Sequence, residues 1–239
     1  MDYTAYKEQI ATMAVVPVDD PNYLIILPQM INYAELRIQR ELDFLSTQVE
    51  NTAYTLTANN NTLTIPTSSF VTLQTVQVVD GDDLRQPLTS VTKDFLQNMW
   101  GNVTGAGLPT FFAVFGGDAA TAGNTSQNII FGPWPDAAYP VVLTGTIRSA
   151  PLGDGTNGTQ TSTFISTYLP DLMIMASMIY VSAYQRNFGR MNDDPQMAQS
   201  YESQYQALKA GAMVEESRKK FQAAAWSSMS PAPVASPTR

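Results

Sequence analysis

Along the chain, apolar positions change their spacing twice. Ala5, Ile10, Met13 and Ala14 predict a short helix that stops before Pro17. Beyond Pro21, Leu24, Leu27, Ile31, Ala34, Ile38, Leu42 and Leu45 recur every three or four residues, which puts them on one helical face. Pro28 interrupts that stripe, so either a kink or the start of the helix proper is expected there. From about Thr52 the helical period gives way to alternation. Tyr54, Leu56 and Ala58, the turn Asn59 to Asn61, and then Leu63 and Ile65 read as a hairpin. Val71, Leu73, Val76, Val78 and Val79 predict a strand entering the turn Asp80-Gly81-Asp82-Asp83. Lys93 to Trp100 suits a short helix, and strands are expected at Phe111 to Phe115, Ile129 to Phe131 and Tyr139 to Ile147. Six to eight short strands at this spacing imply a sandwich or barrel.

The helical period returns after a Gly, Thr and Asn loop. Pro170 and Asp171 suit a first turn, and Leu172, Met175, Ala176, Ile179, Ala183 and Tyr184 form the expected buried face up to a cap at Gly189. Asp194 and Pro195 start a last helix carrying Met197, Tyr201, Tyr205, Leu208 and Ala212, with Phe221 near its end. Helices separated by about a hundred residues form a core only by packing on each other. The expected class is therefore α+β: a bundle of N- and C-terminal helices (1–50 and 164–222) with an inserted antiparallel β-sandwich or barrel-like domain (51–150). A linker loop (151–163) and an extended, flexible C-terminal tail (223–239) complete it.

Composition narrows the chemistry. The 239 residues contain no His and no Cys. That removes Ser-His-Asp and Cys-His arrangements, disulfides and thiolate zinc sites, leaving only carboxylate, Lys or Tyr chemistry for an enzyme. Net charge is −8 with only 13 Lys plus Arg, too few cations for duplex binding by phosphate neutralisation. With no apolar run of about 18 residues and no signal-peptide core, neither a membrane span nor export is expected.

Each candidate motif has a plainer explanation. Gly153-Asp154-Gly155-Thr156-Asn157-Gly158 spells GxGxxG, but no helix start follows it, so a loop is favoured over a dinucleotide site. Asp80, Asp82 and Asp83 lack the twelve-residue calcium pattern and read as a solvated turn. Asp118 and Asp136 have no evident reason to meet as a glycosidase pair. Met173, Met175 and Met178 suit helix core better than an adaptable docking face. Tyr180, Tyr184, Tyr201 and Tyr205 fit either inter-helix packing or a seam between subunits. No catalytic, cofactor or metal site is expected. The exception is the end of the chain, where Phe221, Trp226 and Met229 have little neighbouring sequence to cover them and suggest docking on another subunit.

Three further stretches stand out. One is Leu27-Pro28-Gln29-Met30-Ile31-Asn32-Tyr33-Ala34-Glu35-Leu36-Arg37-Ile38-Gln39-Arg40-Glu41-Leu42. The second is Phe131-Gly132-Pro133-Trp134-Pro135-Asp136 before the strand Val141 to Ile147. The third is Tyr168-Leu169-Pro170-Asp171-Leu172, with Asp193-Asp194-Pro195 opening the final helix. In their order and spacing they resemble the adaptor (head-to-tail connector) proteins of tailed bacteriophages, the first being similar to the family's first long helix. The resemblance spans roughly residues 20 to 222. It implies a virion protein at the neck, assembled in the host cytoplasm as a homo-oligomeric ring, commonly of twelve subunits. Its implied partners are the portal protein and a tail nozzle or tail-tube protein, with DNA passing through the channel unbound and no membrane involved. It would make Phe221, Trp226 and Met229 portal-docking residues. The competing readings are a tail-tube or nozzle subunit and, in a different class, a carbohydrate-binding or hydrolase β-domain.

Overall fold

The structure is a computed structural model that describes residues 1–66, 69–116, 126–187 and 195–223. In it the chain is α+β, with two compact units: Met1–Leu45 together with the residues from Ala150 on, and Ser46–Ser149.

The first unit is helical. Helix α1 (Tyr3–Met13) begins where Asp2 accepts the Ala5 N–H at 2.8 Å. Helix α2 (Pro21–Glu41) is capped by Asp20, whose Oδ1 accepts the N–H groups of Asn22 and Tyr23. Pro28 lies inside α2 rather than at its start, with its ring exposed. The buried face of α2 is Tyr23, Ile26, Leu27, Met30, Ile31, Ala34, Glu35 and Ile38. Leu24, expected on that face, is 40% exposed.

Beyond the second unit come α4 (Phe164–Tyr168), α5 (Pro170–Asn187) and α6 (Pro195–Ala223). Helix α5 buries Leu172, Met173, Ile174, Ala176, Ser177, Met178 and Val181, almost its whole circumference over that stretch. A single stripe underestimated it because α1, α2, α4 and α6 all pack against it. Met173 and Met178 are core and Met175 is half-buried. The expected cap Gly189 and the pair Asp193-Asp194 lie outside the described residues, as do Trp226 and Met229.

Helix α1 ends in an unusual way. The Val16 N–H reaches the Ala11 carbonyl and the Val15 N–H reaches the Thr12 carbonyl, the two bonds of a Schellman cap. That cap needs a left-handed residue, and Val15 supplies it at φ 54° while 88% exposed. Glycine is the usual occupant, since a branched Cβ in this region costs about 1–2 kcal/mol. Val15→Gly is therefore expected to raise stability by about 1 kcal/mol, read as a higher urea midpoint. An unchanged or lower midpoint would show that Val15 is not strained.

The second unit is a two-sheet sandwich, not a closed barrel. Strands β1 (Gln48–Thr55), β2 (Thr62–Pro66), β3 (Thr72–Val79), β4 (Arg85–Pro87) and β5 (Thr89–Ser90) precede helix α3 (Lys93–Met99). Strands β6 (Phe111–Gly116), β7 (Ser126–Gly132) and β8 (Pro140–Thr146) follow it. One sheet has the order β1-β8-β3-β4 and the other β2-β7-β6-β5, antiparallel apart from the β5–β6 pair. The predicted hairpin of Tyr54 with Ile65 is thereby corrected, because β1 pairs with β8 and β2 with β7. The Asn59 turn, with φ 60° there, carries the chain from one sheet to the other. Val76, Val78, Val141 and Leu143 of one sheet share a core with Ile65, Phe112, Ile129 and Phe131 of the other. The far face of β6 and β7 places Ala113 and Ile130 against Leu96 of α3. Both faces of β7 are covered, which explains its unbroken apolar run Ile129-Ile130-Phe131.

Candidate functional site

The candidate site is the C-terminal half of α6. The first half of that helix is clamped to α2 by an ion-pair cluster. Arg37 donates to both carboxylate oxygens of Glu202 at 2.8 and 2.6 Å and to Glu41 at 3.1 Å, and its guanidinium lies 4.2 Å from the centre of the Tyr205 ring. The Tyr205 hydroxyl and Lys209 both donate to Glu41 at 3.0 Å. Bidentate pairing with a stacked ring suits arginine and no other cation. These contacts hold the Glu202 carboxyl below its ordinary range. For Glu41, burial pushes upward but is outweighed by Lys209, Arg37 and Tyr205. Farther along, the Leu45 N–H donates to Glu216 at 3.1 Å, Lys219 pairs with Glu215 and Glu216, and Lys220 pairs with Asp43.

Those contacts define which side of α6 faces its own unit. Tyr205, Ala212 and Glu216 are buried, and Tyr201 and Leu208 are partly so. The opposite face from residue 210 onward is also apolar. Ala210, Met213, Val214, Ser217, Arg218 and Phe221 line an open groove there. Met213 is 50%, Val214 51% and Phe221 68% exposed. Of the three sequence-predicted docking residues, only Phe221 falls within the described residues, and it lies at the end of this groove. Met213, Val214 and Arg218 were missed. Their signal is a second apolar stripe at three- and four-residue spacing, on the same helix as the core stripe and at the same period.

Of the carboxylates singled out in the sequence, Asp80, Asp136 and Asp154 are engaged in local hydrogen bonds. Among the described residues no three carboxylates come together to hold a metal ion. Asp80 accepts the N–H groups of Asp82 and Leu84 and an amide proton of Gln86, closing the β3–β4 hairpin. Asp154 accepts from the N–H and hydroxyl of Thr156, and the GxGxxG stretch ends in no helix. Asp136 accepts from the Tyr139 hydroxyl, while Asp118 lies outside the described residues. In the sandwich unit, Trp100 stacks on Phe111 at 5.6 Å beside Phe95 and Met99, which are 41% and 60% exposed. Trp134 donates its indole N–H to the Trp100 carbonyl at 2.8 Å and so fixes the loop after β7 against the end of α3.

A family model described as SU10 adaptor protein matches residues 1–234. The chain belongs to that family. The match includes all three stretches on which the phage-adaptor resemblance rests, and it covers both units and the helix carrying the exposed groove. The chain is thus a bacteriophage adaptor protein, a component of a virion that works through contacts with other virion proteins. No curated protein matches it. Among the described residues, no helix is long and apolar enough to cross a membrane.

Proposed function

We propose that copies of this chain form the ring that joins the portal vertex of the phage head to the tail and continues the DNA channel. The observation that carries this reading is the adaptor-family match over residues 1–234. The ring, commonly twelve-membered in proteins of this kind, meets the portal on one side and a tail nozzle or tail-tube protein on the other. The role is structural, not catalytic, and a chain without His or Cys is consistent with it. DNA passes through without specific binding, since a net charge of −8 repels phosphate.

Phe221, Trp226 and Met229 are assigned to the portal. Phe221 is 68% exposed at the last turns of α6, and the Pro- and Ser-rich segment after it has the composition of a chain that orders on a partner. The Phe95, Met99 and Trp100 surface of the sandwich unit is offered to the tail side. The test is deletion of residues 223–239, with Trp226→Ala/Met229→Ala as a milder variant. The melting curve of the truncated chain should match the parent's, while co-purification with portal and entry into particles are lost. Normal assembly of the truncated chain would remove the tail from the portal contact.

A further inference from the structure

The helical unit carries a second exposed apolar patch at the other end of α2. Val15 (88%), at the α1–α2 connection, and Leu24 (40%) and Ile25 (69%), in the first turns of α2, are exposed apolar residues, here called the shelf. Val15 is the telling member. A left-handed, exposed position favours glycine or asparagine on both conformational and solubility grounds, yet a branched apolar side chain stands there. Backbone strain of this kind clusters where a side chain serves a contact or a site.

The shelf and the α6 groove complement each other in charge as well as in apolarity. Arg218 stands in the groove and Asp19 beside the shelf; both are exposed, and among the described residues neither has an ion-pair partner. Among the described residues, the groove thus carries a cation without an ion-pair partner and the α1–α2 connection an anion without one. Their places in the unit prevent them from meeting within one copy. Lys209 pairs with Glu41 at the end of α2 and Glu216 binds the Leu45 N–H, so the groove starts where α2 ends. At 1.5 Å per residue, Ile25 lies about 24 Å back along α2 from Glu41. A contact joining groove to shelf therefore joins two different surfaces of two copies. Repeated head-to-tail, such a contact gives a ring or a filament; made twice across a two-fold axis it would give a dimer, and the ring reading selects the first.

We infer that the Met213–Val214–Arg218 groove of one copy seats on the Val15–Ile25 shelf of the next, with Arg218 facing Asp19. The occupant is a second copy of this chain. This rests on the reading that copies assemble into a ring, and it names the surfaces that meet. Phe221 closes the groove at the end from which the portal-directed segment departs.

The natural chain has no cysteine, which makes cross-linking clean. In full-length chain, Asp19→Cys and Arg218→Cys are introduced singly and together, then treated with a short bis-maleimide, both free at high concentration and after incorporation into particles. The double variant should give a ladder running beyond dimer, and an equal mixture of the two single variants should stop at dimer. Adding Met213→Glu to the double variant should abolish the ladder, with an unchanged melting curve showing that the fold survives. Particles that contain the double variant and yield no ladder would overturn the groove-to-shelf contact while leaving the ring reading intact. Cross-linked dimers from either single variant alone would also overturn it, since they require a two-fold contact. Failure of the unsubstituted chain to enter particles or bind portal would instead count against the ring reading.

Discussion

Glu35→Ala is expected to cost the helical unit about 2–4 kcal/mol. Glu35 is 3% exposed on α2 and, among the described residues, forms no ion pair. One of its carboxylate oxygens accepts the Leu152 N–H at 3.0 Å and the other accepts the Thr163 hydroxyl at 3.0 Å. Thr163 in turn caps α4 by accepting the Ser166 N–H, and the Ser166 hydroxyl takes the Thr163 N–H. A single carboxylate thus holds Leu152 and Thr163, which lie in the segment between β8 and α4. Alanine would strand a buried N–H and a buried hydroxyl beside a cavity, and each contributes to the loss. Glu35→Gln preserves volume and one acceptor, so it should cost less than half as much. Equal urea midpoints for the Ala variant and the parent would sink this account.

The same group predicts a pH dependence. Burial pushes the Glu35 carboxyl above its ordinary 4.5, against the pull of Leu152 and Thr163. Above 4.5 the unfolded chain gives up that proton first, so the native state binds more protons than the unfolded state. Stability from this group is complete below 4.5 and is lost as pH rises through the higher native value. Glu35→Gln cannot titrate. The stability of the parent minus that of the Gln variant should therefore fall on going from acid to neutral pH, measured by urea unfolding at each pH. A difference that rises or stays flat would contradict burial as the dominant influence.

What could be read from sequence follows from how local each cause is. The α2 stripe and the alternation in β3 were legible because each buries mainly one face. Even there Leu24 was misplaced, since it belongs to the exposed shelf. The β1–β2 hairpin was misread because the Asn59 turn looks the same whether the chain folds back on itself or crosses to the facing sheet. Glu35 was invisible, as a carboxylate inside a helical pattern reads as solvated until Leu152 and Thr163, over a hundred residues away, come to meet it. The loop 151–163 was expected to bury almost nothing, yet Leu152 is 2% exposed and packs in the helical core. Of the exposed α6 face, Phe221 stood out in the sequence because little neighbouring sequence could cover it. Met213 and Val214 did not, because they share a helix with a core stripe at the same period.

Gly145 makes the corresponding case for the sandwich unit, and Gly145→Ala is expected to destabilise it by about 3 kcal/mol. Gly145 sits in β8, between Val49 of β1 and Leu73 of β3, where the pairing with β3 shifts register between Leu73 and Thr75. A Cβ added there would lie 2.3 Å from the Thr72 carbonyl oxygen, 2.7 Å from Phe70 Cδ1 and 3.2 Å from Leu73 Cα. Phe70 could swing aside, but two of the three obstacles are backbone held in the ladder, so β3 would have to move away from β8. Loss of that pairing opens the core that Val76, Val78, Val141 and Leu143 share with the facing sheet. Gly145→Val should be worse and leave the unit unfolded at moderate urea. Gly81 provides the control, since a Cβ in its turn meets nothing within 4 Å and Gly81→Ala should stay within about 0.5 kcal/mol of the parent. Trp100 and Trp134 report the unfolding by fluorescence. If the two alanine variants unfold at the same urea concentration, close approach of β3 is not what demands glycine at 145.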